Sequence, residues 1–526
     1  MLKRILVLSF LVSSVQLKAQ TNPYQNIEAL LQMIDYAYVD TVNKHQIAED
    51  AIKAILKDLD PHSTYIPAED LKEVNEPLVG NFEGIGIQFN ILNDTIVVNN
   101  TIPGGPSEKL GLRAGDRITT IDNENVGGIG IKNNDVVKKL RGPKGTKVTV
   151  HIKRRSEKEP LEFVITRDKI PLFSVDASYM PTPTTGYIKI SRFADSTVEE
   201  FKKALSELKQ KGMQNLILDL QGNGGGYLNR AIELADEFLS DDKLVVYTMG
   251  RSSARQENFS TSSGGFESGK LAILIDETSA SASEIVSGAV QDWDRGIVIG
   301  RRSFGKGLVQ KPFSLPDGSA VRLTIARYYT PSGRSIQKPY EPGQEDDYDL
   351  DLINRSKQGE LFSADSIRFD ASLKYSTNNK RTVYGGGGIM PDIFVPLDTM
   401  FDTRYLRDLI RKAVTFDFAL NYVDENRKEL NARFINQDRF VKEFTFDDVL
   451  MAKFKANAEK EKVEFNDTEF ARSETFIRTQ LKALIGRNLF GNDVYFEVMN
   501  ELSPPFHKAL EVMSDGTFER MKIAWR

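Results

Sequence analysis

Two residues of this chain have the types and the setting that a hydrolytic reaction needs. Ser281 stands where an apolar, strand-like run at 271–275 gives way to a helical pattern, and Lys306 stands in a glycine-flanked segment further along. A serine hydroxyl attacks a carbonyl carbon only when a base takes its proton. A lysine can be that base if its pKa falls from ~10.4 to near 7–8. The pattern therefore predicts a serine nucleophile with a lysine base.

Each residue also has a simpler interpretation. Ser281 and Glu284 have the spacing of a capping box, in which the serine only satisfies helix amides. Ser279 and Ser283 compete with Ser281 as nucleophiles. Lys306 taken alone reads as a solvated loop lysine, although its apolar neighbours favour the burial that lowers a lysine pKa. The local pattern leaves these alternatives open.

A developing oxyanion would need backbone donors near the serine. A helix leaves its first amide hydrogens unpaired, so the N–H of Ala282 is the first expected donor. The glycine loop 222–226 follows the strand-like run 216–220 and is a second source, because glycine lets the backbone approach a substrate closely.

The sequence also offers residues that would orient the base. If 306–310 is extended, Gln310 shares a sheet face with Lys306 and can orient its amine without adding a charge. Asp292 lies on the same helix face as Ser281 but ~16 Å away along the axis, too far for direct contact. We therefore predict a structural or auxiliary role for Asp292.

The segment 300–306 imitates a phosphate-binding loop. That loop requires Ser or Thr after the lysine and then a helix. Here Gly307 and a β-like run follow, so the sequence argues against nucleotide binding.

The elements around these residues predict a multidomain α/β (α+β) protein. Strand and helix patterns alternate over 184–330, which is typical of helices packed on a sheet. A run of short strands precedes this core, helical patterns flank both, and the polar, acidic segment 339–379 reads as an exposed insertion. The predicted division is 1–20 signal peptide, 24–76 helical region, 78–168 β domain, 170–398 core with the insertion, and 403–526 helical domain.

Composition excludes several classes of function. The chain of 526 residues has no cysteine, which removes thiol nucleophiles, disulfides and cysteine zinc sites. Its four histidines have no metal-ligand spacing. The net charge of −5 argues against general nucleic-acid binding. We expect no metal and no cofactor.

The first residues predict export. Lys3 and Arg4 precede an apolar run that is too short to span a bilayer, and Ala19 lies at its end. A cytosolic amphipathic start is the alternative. The preferred expectation is a periplasmic protein, either soluble or peripherally associated with the membrane, without an integral membrane segment.

Several segments, in this order, resemble the C-terminal processing peptidases, a tail-specific serine protease family (S41) with a PDZ domain. They are 59–66, 84–87, 115–118, 141–146, 186–193, 219–226, 278–285, 303–310 and 330–337. The resemblance covers about residues 24–398. Departures are Gln221 where the family often has Arg, Gly224 where Pro is usual, the insertion, and the region after Asp402.

The resemblance implies a role for each matching position. Ser281 would be the nucleophile, Lys306 the general base and Gln310 its partner. The amides of Ala282 and of Gly225 or Gly226 would form the oxyanion hole. A PDZ fold would present backbone amides to the carboxylate of a protein C-terminus, through the loop made of Gly84, Ile85, Gly86 and Ile87.

Two hypotheses of function follow. The first is an exported endopeptidase that captures accessible protein C-termini and cleaves peptide bonds through an acyl-enzyme on Ser281. The second is a non-catalytic scaffold in which the PDZ-like domain only binds such tails. The serine, lysine and glutamine together favour the enzyme, because a scaffold has no physical need for that set. The helical termini are expected to support a homo-oligomer or to bind an adaptor.

Overall fold

The computed structural model describes residues 22–92, 94–155, 157–344 and 348–525, so the predicted signal peptide lies outside the described residues. The helices are α1 (Pro23–Ala37), α2 (Lys44–Lys57), α3 (Leu71–Val79), α4 (Pro106–Leu110), α5 (Asn133–Leu140), α6 (Thr197–Gln210), α7 (Leu228–Asp236), α8 (Ala282–Asp292), α9 (Asp351–Lys357), α10 (Arg404–Arg411), α11 (Val414–Arg433), α12 (Gln437–Glu443), α13 (Asp448–Lys460), α14 (Asp467–Phe490), α15 (Asn492–Met499), α16 (Pro504–Ser514) and α17 (Thr517–Arg520).

The strands are β1 (Thr64–Ile66), β2 (Asn81–Gly84), β3 (Ile87–Leu92), β4 (Thr95–Thr101), β5 (Arg117–Ile121), β6 (Glu124–Asn125), β7 (Lys147–Lys153), β8 (Leu161–Thr166), β9 (Asp168–Pro171), β10 (Val175–Tyr179), β11 (Thr185–Ile190), β12 (Asn215–Asp219), β13 (Leu244–Gly250), β14 (Ser253–Phe259), β15 (Leu271–Ile275), β16 (Ile297–Gly300), β17 (Leu308–Ser314), β18 (Ala320–Tyr329), β19 (Lys374–Ser376), β20 (Thr382–Tyr384) and β21 (Ile393–Phe394).

A six-stranded sheet forms the centre of the core. Its order is β10-β11-β12-β15-β16-β21, with every pair parallel except the edge pair β10–β11. Helices α6, α7 and α8 contribute to the apolar cluster on one face, and α16 contributes to the cluster on the other. Strand β15 is buried along its whole length because both faces are covered. The predicted α/β core is confirmed.

A second, antiparallel sheet packs beside the first and carries the lysine segment. Its order is β1-β18-β13-β14, and β17 pairs with β18. The β17–β18 register shifts between Val309 and Gln310. The loop that contains Lys306 leads from β16 into β17, so it connects the two sheets.

The predicted β domain is a separate sheet. Its order is β3-β4-β5-β7-β8, with β6 paired to β5, and β3 lies at one edge. The ribbon formed by β2 and β9 pairs the two ends of this segment, with Asn81 opposite Pro171. Entry and exit are therefore adjacent, as an inserted domain requires.

The C-terminal helices form a core of their own, rich in phenylalanine, and contact both other parts. Helix α11 reaches the β domain, where Glu425 pairs with Arg155 at 2.7 Å and Asn421 accepts a hydrogen bond from Arg117 at 3.3 Å. On α15, the Asp493 carboxylate accepts a hydrogen bond from the Ser178 amide of β10 at 2.8 Å. The predicted helical region is confirmed.

The stretch after α16 is tied to the core. The Gly269 amide donates to the carbonyl of Trp525 at 2.7 Å, and the Ala524 amide donates to the carbonyl of Asp294 at 2.7 Å. Phe518 is 0% exposed and Ile523 is 4% exposed. These residues cover the sheet next to the start of β15.

Most described residues of the insertion 339–379 are exposed, as expected, but the insertion also buries Tyr348, Arg355 and Glu360, which its composition did not predict. Glu360 pairs with Arg302 of the core and with Arg355 of the insertion itself. The domain boundaries themselves stay predictions. No helix of the described residues is long and apolar enough to cross a bilayer.

Candidate active site

Ser281 lies in a strained turn between β15 and α8. Its backbone has φ 55° and ψ −110°, a combination that is sparsely populated for residues other than glycine. The residue is the N-cap of α8, and it is partly exposed. Ser281 and Glu284 are arranged as a capping box, and the Glu284 amide donates to the Ser281 carbonyl oxygen at 2.9 Å. The Ser281 hydroxyl makes no cap hydrogen bond. The hydroxyl is therefore available for other chemistry.

The carboxylate of Glu284 joins the serine turn to the lysine loop. Its Oε2 accepts the amide hydrogens of Ser281 at 2.7 Å and of Lys306 at 2.9 Å. Its Oε1 accepts from the Gly305 amide at 2.7 Å and from the Ser303 hydroxyl at 2.5 Å. Burial raises the pKa of this carboxyl, against the opposing effect of the four hydrogen bonds. One buried acid thus fixes the spacing of the two predicted catalytic residues.

Tyr328 on β18 makes a second connection between the same two segments. Its hydroxyl lies 2.6 Å from the carbonyl oxygen of Lys306 and 3.1 Å from that of Ser281. The ring is 1% exposed, so this contact is shielded from water. The backbones of Ser281 and Lys306 are therefore held from both their amide and their carbonyl groups.

The Lys306 side chain lies in an environment that disfavours its charge. Burial, followed by the positive charge of Arg322, lowers the pKa of Lys306, while Glu284 and Asp60 oppose the shift. Among the described residues, its amine has no hydrogen bond to the Ser281 hydroxyl or to another group. Catalytic hydrogen bonds are often long before a substrate binds. The structure thus lowers the pKa of Lys306 in the predicted direction but does not contain a formed dyad.

Gln310 faces a different partner from the one expected. Its Nε2 donates to the Thr324 hydroxyl at 3.3 Å, and that hydroxyl donates to the Asp60 carboxylate at 3.0 Å. Strand β17 begins only at Leu308, so Lys306 lies outside the extended segment that the face argument required. The contact between Gln310 and Lys306 is not formed in this structure.

The glycine loop lies directly against the serine turn. A Cβ on Gly225 would lie 2.8 Å from the Ser281 Cβ, and its φ is 102°, so only glycine fits. The Gly225 amide already donates to the Asn223 side chain at 2.9 Å. The amides of Ala282 and Gly226 have no hydrogen-bond partner within the part of the chain that the structure describes. These two amides are therefore free to donate to a bound group.

Asp292 takes part in the structure of the core. It is 3% exposed, and it pairs with Arg334, which is 0% exposed, at 2.7 Å. Its other oxygen accepts from the Ser332 amide at 3.0 Å. The arrangement fits the structural role that we predicted from its distance along α8.

The loop predicted to bind a carboxylate has the backbone that this role needs. The Ile85 carbonyl accepts two hydrogen bonds from Ser107, and Gly86 has a φ of 76°. Within the described ranges, the amides of Ile85 and Gly86 have no partner. Gly84 ends β2 and Ile87 begins β3, the edge strand of the β domain. A bound peptide could therefore add to β3.

Sequence reasoning missed several residues of the site. Glu284 was considered only as a capping partner, and Tyr328 was not singled out. The segment 59–66 was singled out only for its resemblance to the family, yet Asp60 and His62 are electrostatic neighbours of Lys306. Asp60 accepts hydrogen bonds from the amides of His62 and Ser63, a turn that an Asp-Pro-x-Ser pattern could have suggested.

The described residues contain no group of three or more His, Cys, Asp or Glu side chains arranged to hold a metal ion.

Comparison with protein families places three parts of the chain. Residues 184–350 match peptidase family S41, and residues 97–154 match a PDZ domain. Residues 405–491 match a family of unknown function (DUF8443). The S41 match contains Ser281, Lys306 and Gln310, and the PDZ match begins after the loop 84–87.

Known proteins give longer alignments. The carboxy-terminal processing protease CtpB of Bacillus subtilis is 34% identical over 357 residues, which cover 67% of this chain and 72% of the relative. A carboxy-terminal-processing protease of Bartonella bacilliformis is 36% identical over 335 residues, covering 62% and 76%. A solved photosystem II D1 C-terminal processing protease has 25% identity and a TM-score of 0.36, covering 71% of this chain and 93% of that one. On the alignments with the Bacillus and Bartonella proteases and on the family matches, the chain belongs to the carboxy-terminal processing proteases, serine peptidases of family S41 with a PDZ domain.

Proposed function

We propose that the protein is an exported endopeptidase that binds protein C-termini through its PDZ domain and hydrolyses peptide bonds with Ser281 and Lys306. The observation that carries the proposal is the shared Glu284 oxygen, which brings the Ser281 and Lys306 amides to one atom. The lowered pKa of Lys306 adds to it, because a neutral amine can take a proton from a serine.

In the proposed reaction, the neutral Lys306 amine takes the proton of the Ser281 hydroxyl while the oxygen attacks the scissile carbonyl carbon. The amides of Ala282 and Gly226 stabilise the oxyanion. When the carbon–nitrogen bond breaks, the protonated lysine gives its proton to the leaving amine. Water then attacks the acyl carbon while Lys306 takes a proton from it. The bond between the acyl carbon and the Ser281 oxygen breaks, Lys306 returns the proton to that oxygen, and the product leaves as a carboxylic acid.

Gln310 supports the base in this proposal. Its amide nitrogen is occupied by Thr324, so the orientation of the side chain is fixed. The Oε1 atom has no hydrogen-bond partner in the described part of the chain and can accept a hydrogen bond from the Lys306 amine. A neutral acceptor orients the amine without raising its pKa as a carboxylate would.

Export rests on the pattern of residues 1–20, in which a basic start precedes an apolar run and a small residue. C-terminal recognition rests on the unpaired amides of Ile85 and Gly86 and on the free edge of β3.

The decisive experiment compares cleavage of an unstructured protein with an apolar C-terminus by the wild type and by Ser281→Ala and Lys306→Ala. Both variants should lose at least about 10³-fold in kcat/KM, because each removes a group that acts in bond breaking. Ser262→Ala and Lys311→Ala change exposed residues of the same types and should cleave normally. Equal cleavage by Ser281→Ala would refute the assignment, and tail binding without cleavage by the wild type would favour a scaffold.

Glu284→Gln should reduce kcat by about 10²-fold, because in either orientation its amide nitrogen would face at least one backbone N–H group and disturb the spacing of Ser281 and Lys306. KM should change little, since the PDZ domain is remote from the change. Steady-state kinetics on the same substrate measure both constants. Glu257→Gln, at an exposed acid, is the matched control. Full activity in Glu284→Gln would show that the carboxylate does not set the geometry.

Arg322→Met should move the ascending limb of the pH profile of kcat/KM to higher pH. The active form needs a neutral Lys306, and the neighbouring guanidinium lowers its pKa, so removal of that charge raises the pKa. Arg327→Met changes an exposed arginine on the same strand and should leave the limb in place. A limb that moves to lower pH in Arg322→Met, or does not move, would contradict Lys306 as the titrating base.

Recognition of a free C-terminus can be measured with inactive Ser281→Ala protein and a labelled peptide that has an apolar tail. Amidation of the peptide C-terminus should weaken binding by at least about tenfold, because the amides of the 84–87 loop lose a charged acceptor. Fluorescence anisotropy gives both affinities. Equal affinities for the two peptides would mean that the PDZ domain reads internal sequence and not the terminus.

A further inference from the structure

The inserted segment 339–379 packs on the loop that leads to Lys306. Arg355 is 4% exposed and donates to the carbonyl oxygens of Ser303 at 3.1 Å and Arg302 at 2.7 Å. Glu360 accepts from Arg355 at 2.7 Å and from both ends of the Arg302 guanidinium. Two buried ion pairs therefore fix the backbone just before the lysine, and both depend on the insertion.

A second contact reaches the site through Tyr348. Its hydroxyl lies 2.8 Å from Nε2 of His62 and accepts from Nε2 of Gln337 at 3.3 Å. The hydroxyl has one proton and two lone pairs, so it can donate to His62 or accept from it while it also accepts from Gln337. In either case the contact holds the His62 ring in place beside the base.

His62 stays neutral at the working pH of most enzymes. Burial lowers its pKa to about 4, and the charge of Lys306 contributes to the shift, against the effect of Asp60. Lys338 also faces His62, but Asp351 of the insertion pairs with that amine at 3.1 Å.

The groups that face Lys306 come from three elements. They are Glu284 on α8, Arg322 on β18, and Asp60 and His62 in the turn between α2 and β1. The insertion contacts this group through Tyr348, and it contacts the lysine loop through Arg355.

We propose that the insertion is a positioning element for the base, in which Tyr348 fixes His62 and Arg355 fixes the loop that carries Lys306. The inference rests on the proposed role of Lys306. Neither residue touches the reacting atoms, so both act through the groups that surround the amine.

Tyr348→Phe tests the proposal, because it removes the hydroxyl and keeps the ring that packs on Lys338 and Phe304. His62 would lose its partner, water would reach the amine, and the pKa of Lys306 would rise. We expect a fall in kcat of about tenfold with little change in KM. The ascending limb of the pH profile of kcat/KM should move to higher pH.

Tyr340→Phe is the matched control. It makes the same chemical change in the same insertion, at a ring 6.4 Å from that of Tyr348, and its hydroxyl has no partner among the described residues. It should leave kcat and the pH profile unchanged. An internally quenched peptide with a free apolar C-terminus serves as the substrate for the full-length variants, and thermal unfolding is followed in parallel.

A second variant changes the hydrogen bonds between the insertion and the loop that carries Lys306. Arg355→Lys keeps the charge opposite Glu360 but replaces the planar guanidinium, whose two Nη atoms reach the two loop carbonyls, with a single nitrogen on a flexible chain. It should move the limb in the same direction as Tyr348→Phe. If Tyr348→Phe does not fold, Arg355→Lys alone decides the question.

The outcomes separate this inference from the proposed function. If Lys306→Ala is inactive but Tyr348→Phe matches Tyr340→Phe, the positioning role is refuted and the base assignment stands. If kcat falls while the limb stays in place, the effect is structural and the positioning role is again refuted. If Lys306→Ala remains active, the proposed function itself fails.

Discussion

The site depends on one buried carboxylate. Glu284 receives four hydrogen bonds from two separate segments of the chain, and two of its donors are the backbone amides of the proposed nucleophile and base. Removing one partner of such a buried charged group costs a few kcal/mol, because the remaining groups lose their solvation as well as their bond. Both sheets meet at this point, so the positions of β15, α8 and β17 are coupled through a single side chain.

That coupling also explains how a strained serine persists. A residue other than glycine in the conformation of Ser281 costs of order 1–3 kcal/mol. The charged acceptor at its amide and the Tyr328 hydroxyl at its carbonyl offset that cost. Gly225 then closes over the turn at a distance that no side chain allows. A rigid environment thus holds the partly exposed Ser281 hydroxyl in place.

Local sequence patterns predicted the helices and strands that depend on local interactions. The strand-like runs at 216–220 and 271–275 follow from apolar periodicity and lie within about a residue of β12 and β15, and the helical pattern after Ser281 forms α8. Contacts between distant segments could not be predicted in this way. Gln310 donates to Thr324, which in turn donates to Asp60, and Glu360 of the insertion pairs with Arg302 of the core, because three-dimensional folding decides which groups become neighbours.

The hydrogen bonds from Gly269 to Trp525 and from Ala524 to Asp294 have a consequence for self-digestion. A substrate segment must be extended and free of other partners before its backbone can lie beside a nucleophile. The stretch 518–525 would first have to break these bonds and expose Phe518 and Ile523 to water. Because this stretch is folded against the core sheet, it is protected from cleavage by a protease of the family to which the chain belongs.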